Sequence, residues 1–65
     1  MRAREVVRLL ERDGWYEVKG KGSHRNFKHP EKPGKVTVSD HGGKDIPNVT
    51  LRMIERQSGL SFRPG

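Results

Sequence analysis

Close to the start of the chain, Ala3, Val6, Val7 and Leu10 recur at i, i+3, i+4 and i+7, while Arg4, Glu5, Arg8, Glu11 and Arg12 fill the positions between them. That period is helical, so the pattern predicts an amphipathic helix over residues 2–13. Glu5 and Arg8 stand one turn apart on its polar side, a pairing worth roughly a few tenths of a kcal/mol. Asp13-Gly14 closes the helix, with Gly14 suited to the left-handed position after the cap.

The period then shortens to two. Trp15-Tyr16-Glu17-Val18-Lys19 is rich in β-formers, Gly20-Lys21-Gly22 supplies a turn, and Ser23 to His29 reads as the returning strand of an antiparallel hairpin. Within that second strand Ser23, Arg25, Phe27 and His29 share one face, and His24, Asn26 and Lys28 share the other. Phe27 is its one large apolar residue, so its face should meet the core and His24, Asn26 and Lys28 should point outward. Pro30 to Gly34 is a loop. Lys35-Val36-Thr37-Val38-Ser39 alternates again, with Val36 and Val38 inward, and Asp40 to Asp45 is a polar loop. A second helix is expected from a first turn at Pro47 through Ser58, with Leu51 and Ile54, and Met53 beside them, toward the sheet. Gly59-Leu60 resembles a Schellman stop, Phe62 should close one edge, and residues 63–65 should fray.

The order helix, three strands, helix predicts one α+β domain over residues 1–65: a three-stranded antiparallel sheet with two helices on one face. The other face is left to solvent and carries His24, Asn26, Lys28 and Thr37. No internal repeat interrupts this reading.

Composition narrows the possibilities. Sixty-five residues, 29% of them hydrophobic, suffice for one small core of marginal size, and the clustering of those residues argues for a folded chain. Cysteine is absent, so no disulfide or thiolate site reinforces it. No apolar run nears the ~20 residues of a membrane span, and no signal-peptide core follows the N-terminus; a cytoplasmic chain is expected. The net charge of +6 and pI near 10.3 point to a polyanionic partner. Seven cations (Lys19, Lys21, Arg25, Lys28, Lys32, Lys35, Lys44) against two acids (Glu31, Asp40) put +5 of that charge between Lys19 and Lys44.

Several short stretches, in one order and spacing, carry a family resemblance: Leu9-Leu10, Asp13-Gly14-Trp15, Lys21-Gly22-Ser23-His24, His29-Pro30, Val36-Thr37-Val38, His41, Asp45-Ile46-Pro47, Thr50-Leu51-Arg52, Ile54 and Gly59-Leu60. Over residues 1–62 the chain resembles the HicA toxins, the mRNA interferases of toxin–antitoxin pairs. The resemblance implies a double-stranded-RNA-binding-like fold of α-β-β-β-α order, cleavage of mRNA without a metal or other cofactor, and a HicB-type antitoxin as protein partner. It also implies that the essential histidine of the Gly-Ser-His motif is His24. Two positions depart from the family pattern: Ser39 stands where proline is common, and Asn48-Val49 where glycine often precedes the Thr-Leu pair. Both are expected to lie away from His24.

Metal-free RNA cleavage requires the 2′-hydroxyl to lose a proton as it attacks phosphorus, and an imidazole titrating near pH ~6.5 suits that task. His24 is the expected general base. Lys28, with Arg25 or Lys21 if the hairpin twists toward the site, would stabilise the phosphorane charge. Lys21, Ser23, Arg25, Asn26, Lys28 and Lys35 are the residues expected to hold RNA. No general acid is identifiable: His29 alternates to the opposite face, Lys28 and Tyr16 are no better supported, and a histidine pair or protonation by water stay open. For His29 and His41 the plainer reading is a solvated strand end or loop. Trp15, an aromatic just after a helix stop in a small domain, reads as core rather than as a stacking or partner-binding residue.

Other chemistries fit less well. His24 and His29 are five apart on a strand, hence on opposite faces, so a metal site with Asp40 and His41 is not favoured. Gly20-Lys21-Gly22 leads into a strand and lacks the Gly-Lys-Ser/Thr order of a Walker loop. The alternative from a different functional class is a non-catalytic RNA-binding module on the same fold, since a basic sheet binds RNA whether or not it cuts. A DNA-binding module is prompted by charge alone, and the second helix offers only Arg52 and Arg56 amid residues the core needs. A free small-molecule cofactor and a membrane are not among the expected partners.

Overall fold

The computed structural model describes residues 1–40 and 42–62, which place His41 and the expected frayed end at 63–65 outside the described residues. Helix α1 (Ala3–Arg12) is followed by strands β1 (Tyr16–Val18), β2 (His24–Lys28) and β3 (Val36–Ser39) and by helix α2 (Asn48–Ser58). The sheet is antiparallel in the order β1-β2-β3, so β2 is central. This is the α+β arrangement of α-β-β-β-α order, with an open three-stranded sheet.

Alternation decides what each face does. Phe27, Val36 and Val38 are fully buried and form one cluster with Ala3, Val6, Val7 and Leu10 of α1 and Ile54 of α2, so both helices cover the same face. Trp15 belongs to that cluster, in keeping with its reading as core. Ile46 also does, although it lies beyond a stretch whose sequence reads only as polar loop. Its backbone N–H donates to the Met1 carbonyl at 2.7 Å and Arg2 bridges to Asp45, so the N-terminus straps this loop over the core. On α2 the apolar positions divide: Ile54 is buried, Leu51 packs against the cluster, and Met53 is 56% exposed, contrary to its expected place on the sheet side. A residue one step before Ile54 points about 100° away from it around the helix, which carries Met53 off the core.

The helix ends differ from expectation in an instructive way. Glu5 accepts the Arg2 backbone N–H at 2.9 Å instead of pairing with Arg8, and so caps the first turn. At the other end of α1 the full Schellman pattern forms, Gly14 N–H to Glu11 and Trp15 N–H to Leu10, with Gly14 at φ 103° and Trp15 as the apolar residue that folds back. The stop of α2, expected to be of that kind, is the simpler left-handed one. There Gly59 donates to the Glu55 carbonyl at 2.8 Å, while the Leu60 N–H goes to the Ser58 hydroxyl. Pro47 is the cap residue before α2 rather than part of its first turn.

A polar cluster ties the two helix ends together. The Asp13 carboxylate accepts from Trp15 Nε1 at 3.1 Å and from Lys32 Nζ, and Lys32 Nζ also donates to the Ser58 carbonyl at 3.1 Å. The Asp13 carbonyl lies 2.6 Å from His29 Nε2, and His29 Nδ1 accepts the backbone N–H groups of Glu31 and Lys32. Since Nδ1 accepts two donors, the ring proton sits on Nε2, which donates to Asp13. The Lys32 hydrogen bond chiefly, with Lys32 charge and the Trp15 bond, holds the Asp13 carboxyl below its ordinary 3.8.

Two expectations follow. Phe27→Ala should cost about 3–5 kcal/mol, most of the stability available to a chain this small, read from the urea midpoint at constant slope. The Asp13 contribution is complete above the ordinary carboxylate value and is lost as pH falls through the lower folded-state value. Between about pH 5 and pH 2 the urea midpoint of Asp13→Asn should therefore fall less steeply than that of the parent. Glu17, held below its own ordinary value by Arg25, keeps the remaining slope from vanishing. Identical acid limbs in the two proteins would show that Asp13 makes no such contribution.

Candidate functional site

The face away from the helices is built by the partners of the buried residues. His24 lies opposite Ser39, Asn26 lies between Val18 and Thr37, and Lys28 lies opposite Tyr16, so these seven side chains alternate onto one surface. His24 is exposed at the first position of β2, in keeping with the alternation of the strand. Around it Lys19, Gly20, Lys21, Asn26, Lys35 and Thr37 line an open depression of about 740 Å³.

Asn26 organises the floor of that depression. Its Oδ1 accepts from the Thr37 hydroxyl at 2.8 Å and its Nδ2 donates to the Lys19 carbonyl at 3.4 Å, joining β3, β2 and the end of β1. A residue expected to hold RNA is thus also a brace for the surface on which His24 stands. Gly20 closes the near wall. A Cβ there would lie 2.2 Å from the His24 carbonyl oxygen, so the loop approaches β2 more closely than any side chain permits. The Lys21 carbonyl accepts the His24 N–H at 3.0 Å, which fixes the turn leading into the strand.

The fold sorts the cations that the sequence presents as one run. Lys19, Lys21 and Lys35 rim the depression and Lys28 is exposed on the same face; among the described residues none of the four is paired with a carboxylate. Arg25 sits on the Phe27 face. It makes a two-pronged contact with Glu17 at 2.8 and 2.9 Å, lies 3.5 Å from Asp40 and stacks over the Phe27 ring at 5.8 Å. Of the six residues expected to hold RNA, Lys21, Asn26, Lys28 and Lys35 therefore meet on one surface, and Ser23 flanks it in the turn, its carbonyl taken by the Asp40 N–H. Arg25 is on the opposite side with its charge engaged. Lys32 is engaged likewise, in the Asp13 cluster.

Two other readings change. His29, which reads in the sequence as a solvated strand-end residue, has a side chain only 8% exposed, with both ring nitrogens bonded and its ring edge-on to Trp15 at 5.2 Å. It is a structural histidine on the far side of the sheet from His24. Ser39, expected to lie away from His24, is its direct cross-strand neighbour. Reading parity within each strand could not reveal this, because the pairing register between β2 and β3 depends on the length the intervening loop spends turning. Tyr16 and Lys19 also belong to this surface, which the sequence reading does not anticipate. For Tyr16 the signal is in the sequence, since a buried Trp15 leaves its neighbour facing out.

A family model described as the HicA toxin of bacterial toxin-antitoxin matches residues 3–60 of the chain. No curated protein matches it. Among the described residues no helix is long and apolar enough to cross a membrane.

The close approach at Gly20 yields a test of how the site is held. Gly20→Ala should lose about 1–3 kcal/mol of stability by forcing the loop off β2. Gly22→Asn should cost less, since Asn bears the left-handed φ of 57° with little strain and no atom lies within 4 Å of where its Cβ would stand. Urea midpoints of the two variants decide it, and the opposite order would refute the steric role given to Gly20.

Proposed function

The chain belongs to the HicA toxin family of toxin–antitoxin systems, and from that premise we propose that it is a metal-independent mRNA endoribonuclease with His24 as general base, held inactive by a HicB-type antitoxin that covers the same face. The observation that carries the reading is the exposed imidazole of His24 beside three lysines with no carboxylate partner among the described residues. An anion entering that depression meets positive charge that the fold has left uncompensated.

The chemistry follows from that arrangement. His24 takes the proton of a 2′-hydroxyl, the freed oxygen attacks the adjacent phosphorus, and the bond to the 5′-oxygen breaks, leaving a 2′,3′-cyclic phosphate and a 5′-hydroxyl end. Charge grows on the non-bridging oxygens as the phosphorane forms, and Lys21, Lys19 and Lys35 around the depression stabilise it. Lys28 extends the positive track along the strand. Asn26 acts by positioning, because its amide already spans Thr37 and Lys19. The leaving 5′-oxygen takes its proton from solvent water on this open face, since His29, buried with both nitrogens bonded, is not available for that step. A protein inhibitor of this face gains most by presenting acidic groups to the same lysines, which speeds association and fixes its orientation.

Incubation of labelled mRNA with the purified protein in EDTA should give cleavage with 5′-hydroxyl ends. His24→Ala should slow it by about 10²–10⁴-fold while RNA binding persists. Full activity in His24→Ala would refute the assignment, and RNA bound but left intact by the parent would make the chain a silent RNA-binding module. The binding arm should weaken steeply with salt, as four exposed lysines on one face require.

A further inference from the structure

We propose that Tyr16 is a nucleobase-stacking platform for single-stranded RNA on the open face of the sheet, a specificity-bearing residue remote from the cleaved bond; this rests on the reading of that face as an RNA site. Tyr16 is 50% exposed and is the one exposed aromatic among the described residues. Its phenol makes no hydrogen bond among those residues, so neither burial nor a polar partner accounts for it. The other exposed large apolar residues, Val49 and Met53, lie on α2 and not on this surface.

Register puts Tyr16 in line with the site. It pairs with Lys28, Val18 pairs with Asn26, and Asn26 is followed two residues back along β2 by His24. At about 3.4 Å per residue, the Tyr16–Lys28 pair stands about 14 Å along the strand from His24. A nucleotide bound there is not the one that flanks the cleaved bond but one farther along the chain. The strand positions between them carry no acidic side chain on this face, with Val18, Asn26 and Thr37 in the middle.

The chemistry of the pair suits a nucleotide. An aromatic ring offers a flat face to any base, and the cation directly across the strand offers charge to the phosphate attached to it. Because the sheet face is open rather than a deep groove, it fits unstacked single strands whose bases can splay onto it, not the buried edges of a duplex. Stacking of this kind tolerates many sequences and favours bases that stack well, so it adds a grip and a bias at one position rather than a strict code.

Binding is measured in a His24→Ala background, so that RNA stays intact, with an unstructured RNA oligonucleotide and a series carrying one abasic site at successive positions. Tyr16→Ala should weaken binding roughly tenfold, and Tyr16→Phe, which keeps the ring and drops the hydroxyl, should bind as the background does. One abasic position should cost a similar factor in the background and nothing further in Tyr16→Ala, the coupling that a shared stack requires. An abasic profile unchanged by Tyr16→Ala would overturn the proposal, as would the absence of RNA binding or a loss confined to binding of an antitoxin protein. The underlying reading fails separately: a parent that binds but never cuts sinks the nuclease and leaves the stack standing. A parent that cuts while Tyr16→Ala binds normally sinks the stack alone. Unchanged thermal midpoints in both Tyr16 variants confirm that the exposed ring is not structural.

Discussion

Asp13 is the residue on which the rest of the molecule closes. Its carboxylate takes Trp15 Nε1 and Lys32 Nζ, its carbonyl takes His29 Nε2, and Lys32 carries the network on to the last carbonyl of α2, that of Ser58. The end of the first helix, the entry to β1, the loop after β2 and the end of the second helix are thereby held by one side chain and the groups it gathers. With ten buried apolar residues among the described ones, such polar closure matters more than it would in a larger domain. A cation at the C-terminus of α2 also offsets the partial negative charge of that end. Gly14 belongs to the same constraint, since a Cβ there would stand 2.8 Å from His29 Nε2.

All of that closure happens on the helix side of the sheet, and the site benefits from the division. Arg25 and Lys32 spend their charge on Glu17, Asp40 and Asp13, where it ties strands and helix ends together. The lysines on the other face have no such duty among the described residues, so their field points to solvent. With six more cations than carboxylates the chain cannot neutralise itself internally, so the fold decides only where the excess lies. Its carboxylates near the sheet are taken up on one side, and the net positive charge is expressed on the other.

The fold was legible in the sequence because its two periods are clean: three or four in the helices, two in the strands. Parity around Phe27 put His24, Asn26 and Lys28 outward and Arg25 inward, and the structure has them so. What escaped depended on contacts between distant segments. Ile46 is buried because the N-terminus straps its loop, His29 because Asp13 lies sixteen residues earlier, and Ser39 faces His24 because of a register no single strand encodes. The polar loop before α2 read as featureless for the same reason. Met53 failed for a local cause, one step of helical rotation away from Ile54.

Register also explains why the candidate site cannot drift independently of the core. In a strand with period two, a slip of one residue exchanges the faces. Such a slip in β2 would bury His24, Asn26 and Lys28 against α1 and α2 and push Phe27 into water, so the cost of exposing Phe27 keeps the histidine on the open face. The devices nearest His24 reinforce the same register from the polar side: Asn26 bridges to Thr37 and Lys19, and Gly20 admits the loop against the His24 carbonyl. His24 itself contributes little to holding the fold, being exposed and at a strand end. A side chain that the structure positions but does not need is free to be chosen for its chemistry, and this separation is what lets so small a domain carry a reactive surface.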